Sequence, residues 1–204
     1  MDLHNQKKIQ EHFETLYRKG FKPWTKHGFE TSLEDFFKML KERCPKAKIL
    51  DVGCGDGWIS IHAAKEGHEA WGIDSSPTAV GEAKLVSIKE GSKDLTHFEI
   101  GDIFDLPYED AFFDAVVDRG LFHHVLPENR PLYFENVLRV FKPNALMYLS
   151  VFSDKNPQGI GQLFTREQVE ELFGKYFDIV YFAEDPYPTP APSHLIHFIM
   201  ERKY

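Results

Sequence analysis

Ala47-Lys48-Ile49-Leu50-Asp51-Val52-Gly53-Cys54-Gly55-Asp56-Gly57-Trp58 is the stretch on which the fold turns. A short apolar run meets an acidic residue and then a turn with glycine at every second position. Glycine has no Cβ and reaches positive φ readily, so such a turn lets the backbone approach a ligand closely. A strand entering a glycine-rich turn at the start of a helix is suited to a nucleotide-like ligand.

Outward from this turn, short apolar strands alternate with helical patterns. Strands are predicted at 47–52, 69–73, 96–100, 113–118 and 145–152. Helices are predicted at about 57–66, 77–90, 129–142 and 165–174, the third placing Phe134, Val137, Leu138 and Phe141 on one face. The last opens with Thr165-x-x-Gln168, the spacing of a capping box. Repeated strand–helix units imply a parallel sheet covered on both faces. Two further strands, about 176–183 and 194–202, are separated only by the proline-rich segment Asp185–Pro192, which reads as the loop of an antiparallel hairpin. The fold class is therefore α/β, a doubly wound seven-stranded sheet, mostly parallel, with an antiparallel C-terminal hairpin.

Before the core come two amphipathic helices. One spans about 5–19, with Ile9, Phe13, Leu16 and Tyr17 on one face, and a second runs from Thr31 until Pro45 stops it. Residues 1–45 read as a helical lid and 46–204 as the core of one domain spanning 1–204. A chain of 204 residues suits one domain that buries roughly 70% of its unfolded surface.

The balance of 24 basic against 32 acidic residues gives −8, and no basic stripe is present, which argues against stable nucleic-acid binding. No run reaches the ~18 apolar residues of a membrane span, and Met1–Lys8 lacks the apolar stretch of a secretory signal. Cys44 and Cys54 suggest no disulfide framework. A soluble cytoplasmic protein without membrane contact is expected; oligomeric state has no signal.

Four strand ends carry polar residues where open α/β sheets bind ligands. After the first strand, a dinucleotide fingerprint would need glycine where Trp58 stands, and Asp51 would repel a pyrophosphate. A cationic ligand bearing an ammonium group suits Asp51 instead. Asp74 ends Trp71-Gly72-Ile73-Asp74, 17 residues after Gly57, and a carboxylate there can accept from both hydroxyls of a ribose. Ser75 or Ser76 before Pro77 can cap the next helix, which leaves Asp74 available. Gly101-Asp102-Ile103 offers an acceptor for an exocyclic amine beside an apolar wall for a purine. Asp118-Arg119-Gly120-Leu121-Phe122-His123-His124 follows the fourth strand, where a reacting group belongs. Arg119 there can bind a ligand carboxylate or an acidic acceptor, or pair with Asp118.

Taken together, these motifs resemble the class I S-adenosylmethionine-dependent methyltransferases from about residue 47 onward. The Asp51-to-Gly57 turn, Asp74, Asp102, Phe113-Asp114 and Val137–Pro143 occur in that family's order. The resemblance implies a Rossmann-like fold and S-adenosylmethionine as cofactor, leaving S-adenosylhomocysteine. It also implies a binding set of Asp51, Gly53, Cys54, Gly55, Asp74, Ser75, Asp102, Ile103, Asp118 and Arg119. Asp118-Arg119-Gly120 and Pro23-Trp24 look like the thiopurine and tellurite-resistance branch, which modifies small molecules. The Asn/Asp-Pro-Pro-Tyr/Phe motif of enzymes acting on planar nitrogens is absent after the fourth strand.

The expected activity is in-line methyl transfer to a small-molecule thiol, hydroxyl, carboxylate, amine or metalloid. His123, His124 and Arg119 are the candidate catalytic residues, the histidines because imidazole titrates near pH 6.5. Tyr108, Phe122 and Phe152 are candidates to line the acceptor pocket, and Trp24 to wall the methyl donor. His62, His68, His194 and His197 read as surface or strand residues, so no metal is expected. The alternative is a scaffold or sensor that binds S-adenosylmethionine without turnover. A dinucleotide oxidoreductase conflicts with both Trp58 and Asp51.

Overall fold

β1 (Lys48–Val52) is buried along all but its first residue, as a central strand of a parallel sheet covered on both faces must be. The computed structural model describes residues 3–25, 31–159, 161–187 and 193–203. β1 lies between β2 (Glu69–Asp74) and β4 (Phe113–Arg119), both parallel to it. β3 (Thr96–Ile100) extends the sheet beyond β2, and β5 (Phe141–Phe152) beyond β4, again in parallel. β7 (Ser193–Arg202) and β6 (Phe177–Tyr187) complete the seven strands in antiparallel pairing. The order β3-β2-β1-β4-β5-β7-β6 reverses direction beside β1, so the crevice of the sheet opens after the glycine turn.

Helices cover both faces. α2 (Thr31–Arg43) and α3 (Trp58–Lys65) pack Leu33, Phe36, Phe37, Ile59 and Ala63 against Ile49, Val117 and Tyr148. α4 (Pro77–Lys89) joins α3 through Val80, Ala83, Ile61 and Phe98. On the other face α5 (Arg130–Val140) and α6 (Arg166–Phe173) bury Tyr133, Phe134, Val137, Val169 and Phe173 against Leu50, Val116 and Met147. The capping box of α6 is present: Gln168 N donates to Thr165 Oγ1, and Thr165 N to Gln168 Oε1 at 2.9 Å.

Three expectations need correction. α2 is a layer of the sandwich, not part of a lid, because its Leu33, Phe36, Phe37 and Leu40 face is needed to cover the sheet. Of these two helices, α1 (His4–Arg18) is the one that lies over the crevice. β5 begins at Phe141 rather than 145: Phe141 pairs with Phe113, and the register shifts before Ala115 meets Leu146. That irregularity accommodates Pro143, which donates no hydrogen bond, and Asn144 at φ +61°. Asp185–Tyr187, read as loop, continues β6 opposite Ser193–Leu195. The remainder of the proline-rich segment, 188–192, and the lid positions 26–30 lie outside the described residues.

Candidate active site

The loops after the first five strands enclose a cavity of about 200 Å³, roofed by α1. Its floor is the glycine turn. Gly53 and Gly55 sit at φ +66° and +56°, a region that costs residues bearing a Cβ. A Cβ on Gly53 would come within 2.8 Å of Leu121, and one on Gly55 would collide with the Tyr17 hydroxyl of α1. The turn therefore admits both the β4 loop and the roof at close range.

Asp74 closes the turn from the side. Its Oδ2 accepts from Gly55 N at 2.9 Å and its Oδ1 from Ser76 N at 2.8 Å. Ser76 Oγ, not Asp74, caps α4 by accepting from Ala79 N at 3.1 Å. Asp51 is buried and accepts from Ser60 Oγ at 2.8 Å. Burial pushes its pKa up to about 7 against that hydrogen bond, with the Asp74 and Asp118 charges adding to the rise. Burial likewise raises Asp74 above the usual carboxylate range. Among the described residues no cation forms a salt bridge with either carboxylate. Two acids, Asp51 buried and Asp74 half-buried, stand beside a backbone cradle at an end of the cavity short of positive charge among the described residues. A ligand carrying an ammonium and a sulfonium fits that deficit; a dinucleotide pyrophosphate does not. Cys54, Ser75 and Ile103 also line the cavity.

Two expected contacts fall elsewhere. Asp118 does not line the cavity: it is fully buried, its Oδ1 accepts from Leu121 N and Phe122 N, and its Oδ2 from Tyr133 Oη at 2.7 Å. It shapes the β4 loop, with burial raising its pKa to about 6. Asp102 also lies outside the lining residues, accepting from Phe104 N and from Gln10 Nε2 of α1. Tyr108 and Phe122 are core rather than pocket; Tyr108 packs edge-on to Phe113, and Phe122 on Tyr133 and Phe173. His68 and His197 are buried, where His68 Nδ1 accepts from Ala47 N and His197 Nδ1 is hydrogen-bonded to Tyr148 Oη.

Arg119, His123, His124 and Phe152 do meet at the cavity's other end. Arg119 lies 5.1 Å from the Trp58 ring, a cation–π distance, and is the only Lys or Arg among the described lining residues. The His123 ring stacks on Phe152 at 4.0 Å, and its Nδ1 accepts from Phe152 N at 3.3 Å, which leaves the proton on Nε2. Burial, then His124 and Arg119, hold His123 well below the ordinary imidazole value. Burial, helped by His12, lowers His124 to about 4, and its ring meets Phe13 edge-on at 4.7 Å.

The roof is tied down by polar side chains that the apolar periodicity of α1 does not single out. Gln6 donates to His124 O and accepts from Leu126 N, each at 3.0 Å. Glu14 accepts from Ser76 Oγ, Thr78 N and Thr78 Oγ1 at the start of α4. Trp24 donates to Tyr17 Oη at 3.0 Å and lines the cavity. Gln6, Gln10, Phe13 and Tyr17 recur at helical spacing, so a mixed polar and aromatic stripe was the available signal. Ser150, a lone hydroxyl in the apolar run of β5, also lines the cavity and was not singled out.

Residues 44–185 match the family described as "Methyltransferase domain". A 2-heptyl-1-hydroxyquinolin-4(1H)-one methyltransferase from Mycobacteroides abscessus is 28% identical over 151 residues, 71% of this chain and 65% of that protein. The norajmaline N-methyltransferase of Rauvolfia serpentina is 31% identical over 109 residues, 53% of this chain and 37% of that protein. The chain thus spans less than two-thirds of the length of these relatives. Among solved structures, the 1,6-didemethyltoxoflavin-N1-methyltransferase of Burkholderia thailandensis, with 1,6-didemethyltoxoflavin and S-adenosylhomocysteine bound, superposes with a TM-score of 0.81. That likeness covers 100% of this chain and 92% of that one at 22% identity, and it shows the fold. With seven strands in this order, the glycine turn at its switch point and a family match over well over half its length, the chain belongs to the class I S-adenosylmethionine-dependent methyltransferases.

Proposed function

We propose that this protein, acting as one domain over residues 1–204, transfers the methyl group of S-adenosylmethionine to a small-molecule acceptor. The observation that carries the reading is the pair of carboxylates, buried Asp51 and half-buried Asp74, that line the glycine-turn end of the cavity with no salt-bridge partner among the described residues. Asp51 would hold the donor's ammonium and Asp74 its ribose hydroxyls. Gly53, Cys54, Gly55 and Ser75 would form the cradle, and Ile103 an apolar wall for the adenine. When bound, the donor supplies an electrophilic methyl group on a sulfur that leaves without its charge.

The chain's own residues then have two duties, orientation and exclusion of water. Rigid placement of two reactants can account for several kcal/mol of barrier lowering, up to about 7–11 in the best cases. α1 supports that role by closing over the cavity with Gln6, Phe13 and Tyr17. The closed roof also favours a small acceptor over a polymer. The relatives named for a hydroxyquinolinone and for didemethyltoxoflavin support a compact ring compound. His123 and His124 serve as walls and donors rather than bases, since burial holds both imidazoles neutral and weakly basic.

Calorimetry with S-adenosylmethionine, S-adenosylhomocysteine and NAD tests the reading. Both sulfur ligands are expected to bind and NAD not to. Asp74→Asn is expected to weaken donor binding by roughly 10- to 100-fold, the scale of a hydrogen bond to a buried charge. Tight NAD binding with no response to the donor would refute it. Donor binding without methyl release to any acceptor would favour a scaffold.

A further inference from the structure

We propose that Gln10, on the roof helix α1, reads the adenine of the methyl donor, and that Asp102 acts through it by fixing its amide. The assignment rests on the methyl-transfer reading above, in which Asp74 takes the donor's ribose.

Strand order says where the base lies. The donor runs in a line from amino acid through sulfur and ribose to adenine. With its ammonium at Asp51 in β1 and its ribose at Asp74 in β2, the base extends outward to the loop after β3. That loop contributes Gly101, Ile103 and Phe104 to the cavity, and α1 contributes Ile9 and Gln10. Among these, Gln10 has the one polar side chain. A purine needs both kinds of partner: apolar surface for its faces and hydrogen-bonding groups for its edge.

An acid after β3 is the simpler acceptor for an exocyclic amine, but Asp102 lies outside the lining and both its oxygens are engaged. Oδ1 accepts from Phe104 N at 3.1 Å, and Oδ2 from Gln10 Nε2 at 3.0 Å. The carboxylate thereby sets the amide, since a Gln10 turned over would bring its oxygen against another acceptor. With Nε2 held, Gln10 Oε1 has no hydrogen-bond partner among the described residues. A carboxamide matches the edge of adenine: its oxygen accepts from the exocyclic amine while its N–H donates to the adjoining ring nitrogen. Gln10 keeps both groups for that purpose, because Asp102 takes one of its two amide hydrogens.

Hypoxanthine inverts the pattern. It carries an oxygen where adenine carries the amine, so Oε1 would meet an acceptor and neither would be satisfied. Gln10 is thus a specificity-determining residue and Asp102 a positioning residue. Because α1 carries Gln10, seating the roof and recognising the base are one step.

Calorimetry on the full chain with S-adenosylhomocysteine and S-inosylhomocysteine tests this, since the two differ at that edge of the base alone. The readout is the ratio of their dissociation constants. Wild type is expected to favour the adenine compound by roughly 10- to 100-fold. Gln10→Met keeps an unbranched, helix-compatible side chain without the amide, and should bring the ratio to within about threefold of unity. Asp102→Ala should lower the ratio as well, and the double variant no further than Gln10→Met, since both act on one contact. Glu14→Gln, which loosens the roof without touching the base, is expected to weaken both compounds alike and leave the ratio in place. A Gln10→Met that behaves like Glu14→Gln would make Gln10 a mere tie of α1 and overturn the proposal. So would a ratio that survives Gln10→Met but not Asp102→Ala, which would put the amine on Asp102 itself. A wild-type ratio kept in Asp102→Ala would remove the positioning role. If wild type binds both compounds equally, the assignment alone fails; if it binds neither, the methyl-transfer reading fails with it.

Discussion

Ser150 lines the cavity as a fully buried hydroxyl with no hydrogen-bond partner among the described residues. A buried hydroxyl without a partner costs about 1–3 kcal/mol of desolvation. Its neighbours Leu149 and Val151 show what β5 would carry if packing alone chose the side chain. Ser150→Ala is therefore expected to raise stability by about 1 kcal/mol in urea unfolding. Unchanged or lower stability would mean that the hydroxyl has a partner the fold needs. Asp51 makes the second prediction at this scale. Its folded pKa, pushed up to about 7, lies above the ordinary value of 3.8. Its stabilising contribution is thus present below pH 3.8 and is lost as pH rises to about 7. A cationic donor reverses the preference, because it favours the ionised acid. Donor affinity is expected to fall about tenfold per unit below pH 7, with a proton released on binding, and Asp51→Asn should remove the dependence. Calorimetry in buffers of different ionisation enthalpy reads the released proton; its absence would show that Asp51 is already ionised.

Among the elements, α1 differs from the others in how it is held. Of its side chains only Gln6 and Tyr17 are buried, so hydrogen bonds rather than apolar area fix its place. Glu14 is the main tie, standing at the N-terminus of α4, where a negative charge is favoured. Burial opposes its charge, but hydrogen bonds from Ser76, Thr78 and Arg18 prevail and bring its pKa down to about 2. The sign is opposite to that of Asp51: the contribution is present above pH 4.5 and is lost as pH falls toward 2. Glu14→Gln is expected to loosen α1 by about 1–2 kcal/mol, seen as faster cleavage between His4 and Arg18 with little change in global unfolding. Equal resistance to cleavage would show that Gln6 and Tyr17 hold the helix without it. The existence of α1 was legible, because Ile9, Phe13, Leu16 and Tyr17 repeat with helical period. Its partners were not, because Gln6 reaches 118 residues along the chain and Glu14 reaches 62. Side-chain hydrogen bonds of that span leave no periodic trace. The start of β5 was hidden for a related reason: Pro143 reads as a breaker, and only pairing with β4 makes a strand around it.

Over the whole molecule, the seven strands and their sense were legible because each is a short apolar run between turn residues. The glycine turn and Asp74 were legible as a ligand site for the same local reason. Asp102 and Asp118 were harder to assign, since an acid at a strand end can face a ligand or tie its own loop, and Asp118 does the latter. Local sequence does not distinguish those outcomes; the position of Tyr133, on a helix that follows, does. The same division governs how the molecule should move. β1, β4 and β5 lie between two apolar clusters, whereas α1 rests on the cavity rim through polar ties. Opening free energies should therefore rise from α1 to the central strands. Donor bound beneath the roof would contact α1 and the 119–125 loop while leaving β6 and β7 untouched. Hydrogen exchange is thus expected to slow at least about tenfold in His4–Arg18 on donor binding, and to stay within about twofold in Phe177–Tyr187. Protection confined to β6 and β7, or an α1 indifferent to donor, would mean that the cavity under the roof is not where the donor binds.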